Sequence, residues 1–191
     1  LAPGHAKALR IVRDAYLAMH DYAGLEELYA ASGDWEGLVD VLASAADRTT
    51  DPEQKVVLSF RSAELYEEKL GAPERALATL DAHRRRFPGG VLGAEVTLTR
   101  IELLAQLGRT AEALDEIAVA LAGALGAERA GDLHALRGDL LADRGDCAGA
   151  RGEYAAARAA NVHPSRLARG EARCPVDPGK SARERDGGGS P

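Results

Sequence analysis

Along most of the chain apolar residues recur every three to four positions, the spacing that lines one face of an α-helix. Val56, Phe60, Ala63 and Leu70 share one stripe of 53–70, with Asp51-Pro52-Glu53-Gln54 reading as its cap, first turn and N3 glutamine. Leu98, Ile101, Leu104 and Leu107 do the same for 92–107, and Leu133, Leu136, Leu140 and Leu141 for 128–143. Partner helices are predicted over 34–47, 73–86, 110–124 and 146–160, with two more at 6–19 and 21–31, nine in all. No stretch alternates like a strand for long enough to compete. The pattern is that of an all-α protein.

The phrases joining these helices repeat. "SGDWEGLV", "LGAPERAL", "LGRTAEAL" and "RGDCAGAR" place Gly33, Gly71, Gly108 and Gly145 at spacings of 38, 37 and 37 residues. Five residues beyond each glycine stand Leu38, Ala76, Ala113 and Ala150; nine beyond stand Leu42, Leu80, Ile117 and Tyr154; twelve beyond stand Ala45, His83, Ala120 and Ala157. Each column has a physical reading. A glycine after a helix supplies the left-handed cap. Asp34, Thr110 and Asp146 then cap the next helix, and Pro73 occupies a first-turn position that needs no N–H. Small residues at plus five and plus twelve let paired helices approach, and the large one at plus nine fills the space between neighbouring hairpins. The N-terminal part echoes the phrase in "MHDYAGLEELY", with His20 where the glycine should be, but 13 residues from His20 to Gly33 cannot hold two helices. An irregular three-helix start at 6–48 is therefore expected before regular hairpins at 51–86, 92–124 and 128–160.

Composition sharpens this picture at few points. Aromatic residues are 4% of the 191, so the core must be closely packed helices rather than large side chains. The longest apolar run, "IAVALAGAL" at 117–125, falls well short of the ~20 residues a membrane helix needs. The formal net charge is −6, and residues 1–160 hold 18 Lys and Arg against 26 Asp and Glu. Such an acidic body is poorly suited to phosphate backbones, and the one basic run, His83-Arg84-Arg85-Arg86, closes a predicted helix where positive charge suits the helix dipole. Cys147 and Cys174 do not make a disulfide framework; a reducing, cytoplasmic compartment is the expectation. "LAPGH" at the start reads as the end of a preceding element. After Ala160 the periodicity stops, and 161–191 is expected to be a disordered tail, or non-native sequence read out of frame.

The glycine joint, with its small residue at plus five, large residue at plus nine and alanine at plus twelve, resembles the tetratricopeptide repeat. "LGRTAEALDEIAVAL" and "LGAPERALATLDAHRRRFP" carry the likeness best, with Pro88 in the closing position, Gly138 seven before Gly145, and Tyr16 four before His20. The units resemble those of long bacterial arrays. The likeness covers 1–160 and is densest over 51–160. Departures are a period of 37–38 where the family's is 34, Leu38 and His83 in alanine columns, and the broken register at 19–33. The resemblance implies an α-solenoid of stacked antiparallel helix hairpins whose first helices line a concave face. It places Glu64, Glu67, Glu68, Glu95, Glu102, Asp132, Asp139 and Asp143 on that face, together with Asp14 and Gln106, and Lys7 and Arg10 at its N-terminal lip.

Sites for chemistry are largely missing. "DPGKSA" at 177–182 lacks the earlier glycine of a phosphate loop, since Cys174 stands there, and "GGVLG" at 89–93 is a connector. The histidines show no helical i, i+4 pairing with one another, and His20-Asp21 reads as a turn with an N-cap. No catalytic residue, cofactor or metal is expected. The expectation is a non-enzymatic protein–protein interaction scaffold that takes a peptide or helix, in one version Lys/Arg-rich, in an acidic groove, without nucleic acid and without membrane insertion. The second expectation is a regulatory or oligomerising arm of a larger signalling enzyme such as a protein kinase. Partner identity and oligomeric state are not legible.

Overall fold

The computed structural model describes residues 3–86, 93–123 and 126–175, with side chains from residue 7 onward. Among these the fold is all-α, with ten helices and no strand: α1 Pro3–Met19, α2 Tyr22–Ala30, α3 Trp35–Arg48, α4 Pro52–Glu68, α5 Pro73–Arg86, α6 Gly93–Gln106, α7 Thr110–Leu121, α8 Ala127–Asp143, α9 Cys147–Ala159 and α10 Pro164–Arg173. The chain forms two compact units, Leu1–Gly108 and Arg109–Pro191. Each is solenoid-like, built of sequential helices packed side by side. The boundary falls at Gly108, inside the hairpin expected over 92–124.

Gly33, Gly71, Gly108 and Gly145 all take positive φ, from 57° to 80°, and His20 adopts φ 55° in the place of the missing glycine. Asp34 and Asp146 cap their helices by accepting the N–H of Gly37 at 3.0 Å and of Gly149 at 2.9 Å. Two cap assignments change. Arg109, without a side-chain cap bond, precedes α7, so Thr110 is the first helical residue rather than the cap. Gln54 does not reach back to the Asp51 N–H, because that N–H donates to the Thr49 hydroxyl oxygen at 3.2 Å, and the Thr49 hydroxyl in turn donates to Gln54 Oε1.

The plus-five and plus-nine columns lie in the core. Leu38, Ala76, Ala113 and Ala150 at plus five are at most 1% exposed, as are Leu42, Leu80, Ile117 and Tyr154 at plus nine. In the first unit Leu25, Leu38, Val39, Leu42, Leu58 and Leu65 pack together, flanked by Tyr16, Tyr22 and Trp35. In the second, Ala135, Ala142, Ala150, Tyr154 and Ala157 form an alanine-lined seam between α8 and α9.

The largest departure is at the C-terminus. Residues 164–173, expected in a disordered tail, form α10, which packs on α8 and α9. Leu167 is fully buried against them and Gly170 is buried beside it. The helix brings Cys174 to Cys147, which joins it in a disulfide with Cα atoms 5.1 Å apart. The two cysteines are therefore not independent thiols. His163 and Pro164 start α10, with His163 Nδ1 capping the helix by accepting the Ser165 N–H at 3.3 Å. The connector 87–92, with Pro88, and residues 176–191, with the Gly-Lys-Ser sequence, lie outside the described residues.

Candidate functional site

The acidic positions divide between the two units. In the first, α4 carries Glu64, Glu67 and Glu68, and α6 carries Glu95 and Glu102. Half-buried Glu67 has its pKa raised by burial, then by the negative charges of Glu102, Glu68 and Glu64. These four carboxylates, from two helices, thus share one electrostatic neighbourhood. Glu64 is compensated in part: Arg61 Nη1 lies 2.7 Å from its Oε2, while Arg61 Nη2 reaches Glu26 of α2. Glu68 and Glu102 are exposed, and Glu95 is half-buried and already engaged in a polar interaction.

In the second unit the assignment changes. Asp139 accepts the Tyr154 hydroxyl at 3.0 Å and pairs with Arg166 and Arg173 of α10, each at 3.0 Å. Asp143 pairs with Arg173 at 2.7 Å. Both carboxylates are thereby withdrawn from an open acidic groove, because the segment expected to be tail turns its arginines onto them. The buried Tyr154 phenol is pushed up to about 12, first by burial and then by its bond to Asp139. Asp132 stays exposed on α8. Of the basic lip, Lys7 and Arg10 are exposed on α1, and Asp14 is held by Arg13 at 2.7 Å.

Clefts also open among the helices of the first unit, and the sequence did not mark them. A cleft of about 410 Å³ opens among α3, α4 and α5, and its lining includes Ala43, Ser59, Ser62, Ala78 and Thr79 together with Asp47, Lys55 and Arg86. Its α4 wall, Lys55-Ser59-Ser62-Tyr66, and the acidic Glu64 lie on opposite sides of that helix, because two positions rotate by ~200°. His83, in an alanine column, lines it, and burial lowers the pKa of its ring. Small residues from helices some forty positions apart leave no motif by which the cleft could be found. A second cleft of about 360 Å³, between α1 and α2, is lined by Leu9, Arg10, Arg13, Leu28, Tyr29, Ser32 and Asp34.

His134 and Cys147 each have a partner within the fold. His134 Nδ1 lies 2.7 Å from Glu153 Oε2, while Glu153 Oε1 meets Arg137 at 3.4 Å, and these contacts join α8 to α9. Cys147 is bonded to Cys174. Among the described residues no group of three or more His, Cys, Asp or Glu is placed to hold a metal ion, and no helix is long and apolar enough to cross a membrane.

No family model matches the sequence, and no curated protein matches it. Among solved structures, the chain is similar to BtubC (BKLC) from P. vanneervenii, with a TM-score of 0.66 over 97% of this chain and 91% of that one. At 17% identity the likeness is one of fold. It supports an all-helical, repeat-like architecture and carries no residue-level assignment.

Proposed function

We propose that the protein is a non-enzymatic interaction module of tetratricopeptide-like hairpins that holds a Lys/Arg-rich peptide against the α4 and α6 face. The observation that carries this reading is the gathering of Glu64, Glu67, Glu68 and Glu102 from two helices, where burial first and then the neighbouring negative charges raise the Glu67 pKa. Like charges gathered from two helices are unfavourable in the free protein, and a bound cation relieves them. The repeat columns and the glycine joints at positive φ support the hairpin assignment. Asp139 and Asp143 are left out of the face, being paired within the chain.

The test is fluorescence anisotropy of a labelled Lys/Arg-rich peptide against the full chain and a Glu67→Lys/Glu102→Lys variant. Binding at low ionic strength should weaken roughly tenfold or more as salt rises, since the Debye length shrinks from ~30 Å at 0.01 M to ~8 Å at 0.15 M. The double variant should lose it. Absence of binding at low salt, or equal binding by the variant, would overturn the proposal.

A further inference from the structure

We propose that α10 is a redox-gated latch over a helix-docking face formed by α8 and α9, released when the Cys147–Cys174 disulfide is reduced. This face lies in the second unit and does not depend on the acidic face of α4 and α6.

The argument begins with how little else holds α10 down. Leu167 is its one fully buried large side chain, while Arg166, Ala168, Arg169, Ala172 and Arg173 are exposed. Ten residues are too few for a helix to persist in water without tertiary support. The ion pairs made by Arg166 and Arg173 involve side chains 49% and 43% exposed, where salt and water screen them to small net values. Arg158 of α9 adds a pair with Glu171, again at the surface. The covalent tie from Cys174, just past the end of α10, to Cys147, the first residue of α9, is the strong constraint on this packing. Asn161, Val162 and His163 tether the other end, so a released α10 stays attached to the protein.

The surface beneath is shaped for a helix. Gly170 sits so close to Tyr154 Oη and Asp139 Oδ1 that a side chain there would collide with both. Around it lie the Tyr154 ring, Ala135, Ala142, Ala150 and Ala157, packed with Leu167. Arg166, Leu167, Gly170 and Arg173 fall at i, i+1, i+4 and i+7, one side of α10, and present one apolar side chain, a close-approach glycine and two cations. The occupant that fits an uncovered face is therefore a basic amphipathic helix with a leucine beside its arginines.

The chemistry is ordinary thiol–disulfide exchange with a dithiol reductant. Half-buried Cys147 offers its sulfur more readily than Cys174, which is 2% exposed. A reductant thiolate attacks Cys147 Sγ, the Sγ–Sγ bond breaks, and Cys174 departs as a thiolate that takes a proton. The reductant's second thiolate then displaces Cys147, which is protonated in turn. Two electrons and two protons pass to the protein, and the reductant leaves as its own disulfide.

Hydrogen exchange on the full chain, oxidised or reduced with dithiothreitol, tests the latch. The amides of 167–173 should exchange roughly tenfold faster or more after reduction, while those of α8 and α9 keep their protection. Unchanged protection of α10 would overturn the latch, and so would loss of protection in α8 and α9 together with it, which would make the disulfide a staple of the whole unit. Docking is tested with a labelled peptide of residues 162–173 and a full-length Leu167→Asp/Cys174→Ser variant whose own α10 is kept off. The variant should bind the peptide and the oxidised parent should not. No binding to a variant that retains α8 and α9 protection would overturn the docking face.

Discussion

At Gly138 the backbone of α8 passes so close to Tyr154 of α9 that an added Cβ would lie 2.5 Å from Cε1 of that ring. The ring cannot retreat, being 1% exposed and tied through its hydroxyl to Asp139. Gly138→Ala should therefore cost about 1–3 kcal/mol, the usual penalty for overpacking. Gly152 of α9 is also helical but meets nothing within 4 Å, so Gly152→Ala should stabilise by about 0.5–1 kcal/mol through helix propensity. Urea denaturation of both variants checks the pair; equal effects would show that the Tyr154 contact does not govern Gly138. A small residue at 138 was implied by the tetratricopeptide resemblance, but its partner was not, because Tyr154 occupies the large-residue column and only packing aims its ring.

Between elements, α5 carries His83 where an alanine was expected, and the ring is 7% exposed at the cleft among α3, α4 and α5. Burial lowers its pKa, so the folded chain favours the neutral ring. The sign follows directly: this contribution is present above the unfolded value of about 6.5 and is lost as pH falls through the folded one. Asp47, Lys55 and Arg86 border the same cleft. Thermal melts between about pH 7 and pH 5 should show the parent losing more stability than His83→Asn. Parallel pH profiles would contradict it. The helices themselves were legible because their apolar stripes recur at 3.6 residues. The tenth was missed because Leu167 alone cannot make a stripe, and its polar neighbours read as unfolded sequence.

For the whole molecule, net charge −6 and the carboxylates of α4 and α6 act in the same direction. A raised carboxylate pKa means the folded state prefers the proton, so Glu67 opposes folding above its folded-state range and is neutral in effect well below it. Glu67→Gln should raise the melting temperature at pH 7, with the gain shrinking as pH falls to about 3, where both side chains are uncharged. A constant gain at all pH values would point to packing instead of charge. The same substitution should weaken binding of a basic peptide, which separates a functional patch from a merely tolerated one.

The periodicity of apolar residues and the recurrence of glycine, alanine and a large residue determined by themselves that this chain is all-α, where most helices start and stop, and which columns are buried. Those properties are local, set by the 3.6-residue turn and by a joint repeated every 37 or 38 positions. The tertiary structure decided which charges meet. Asp139 and Asp143 looked equivalent to Glu67 and Glu102 along the sequence, yet α10 neutralises the first two and leaves the others to repel. It also paired Cys147 with Cys174 across 27 residues. Ion pairs, disulfides and clefts join helices remote in sequence, and no local pattern records which ones the packing brings together.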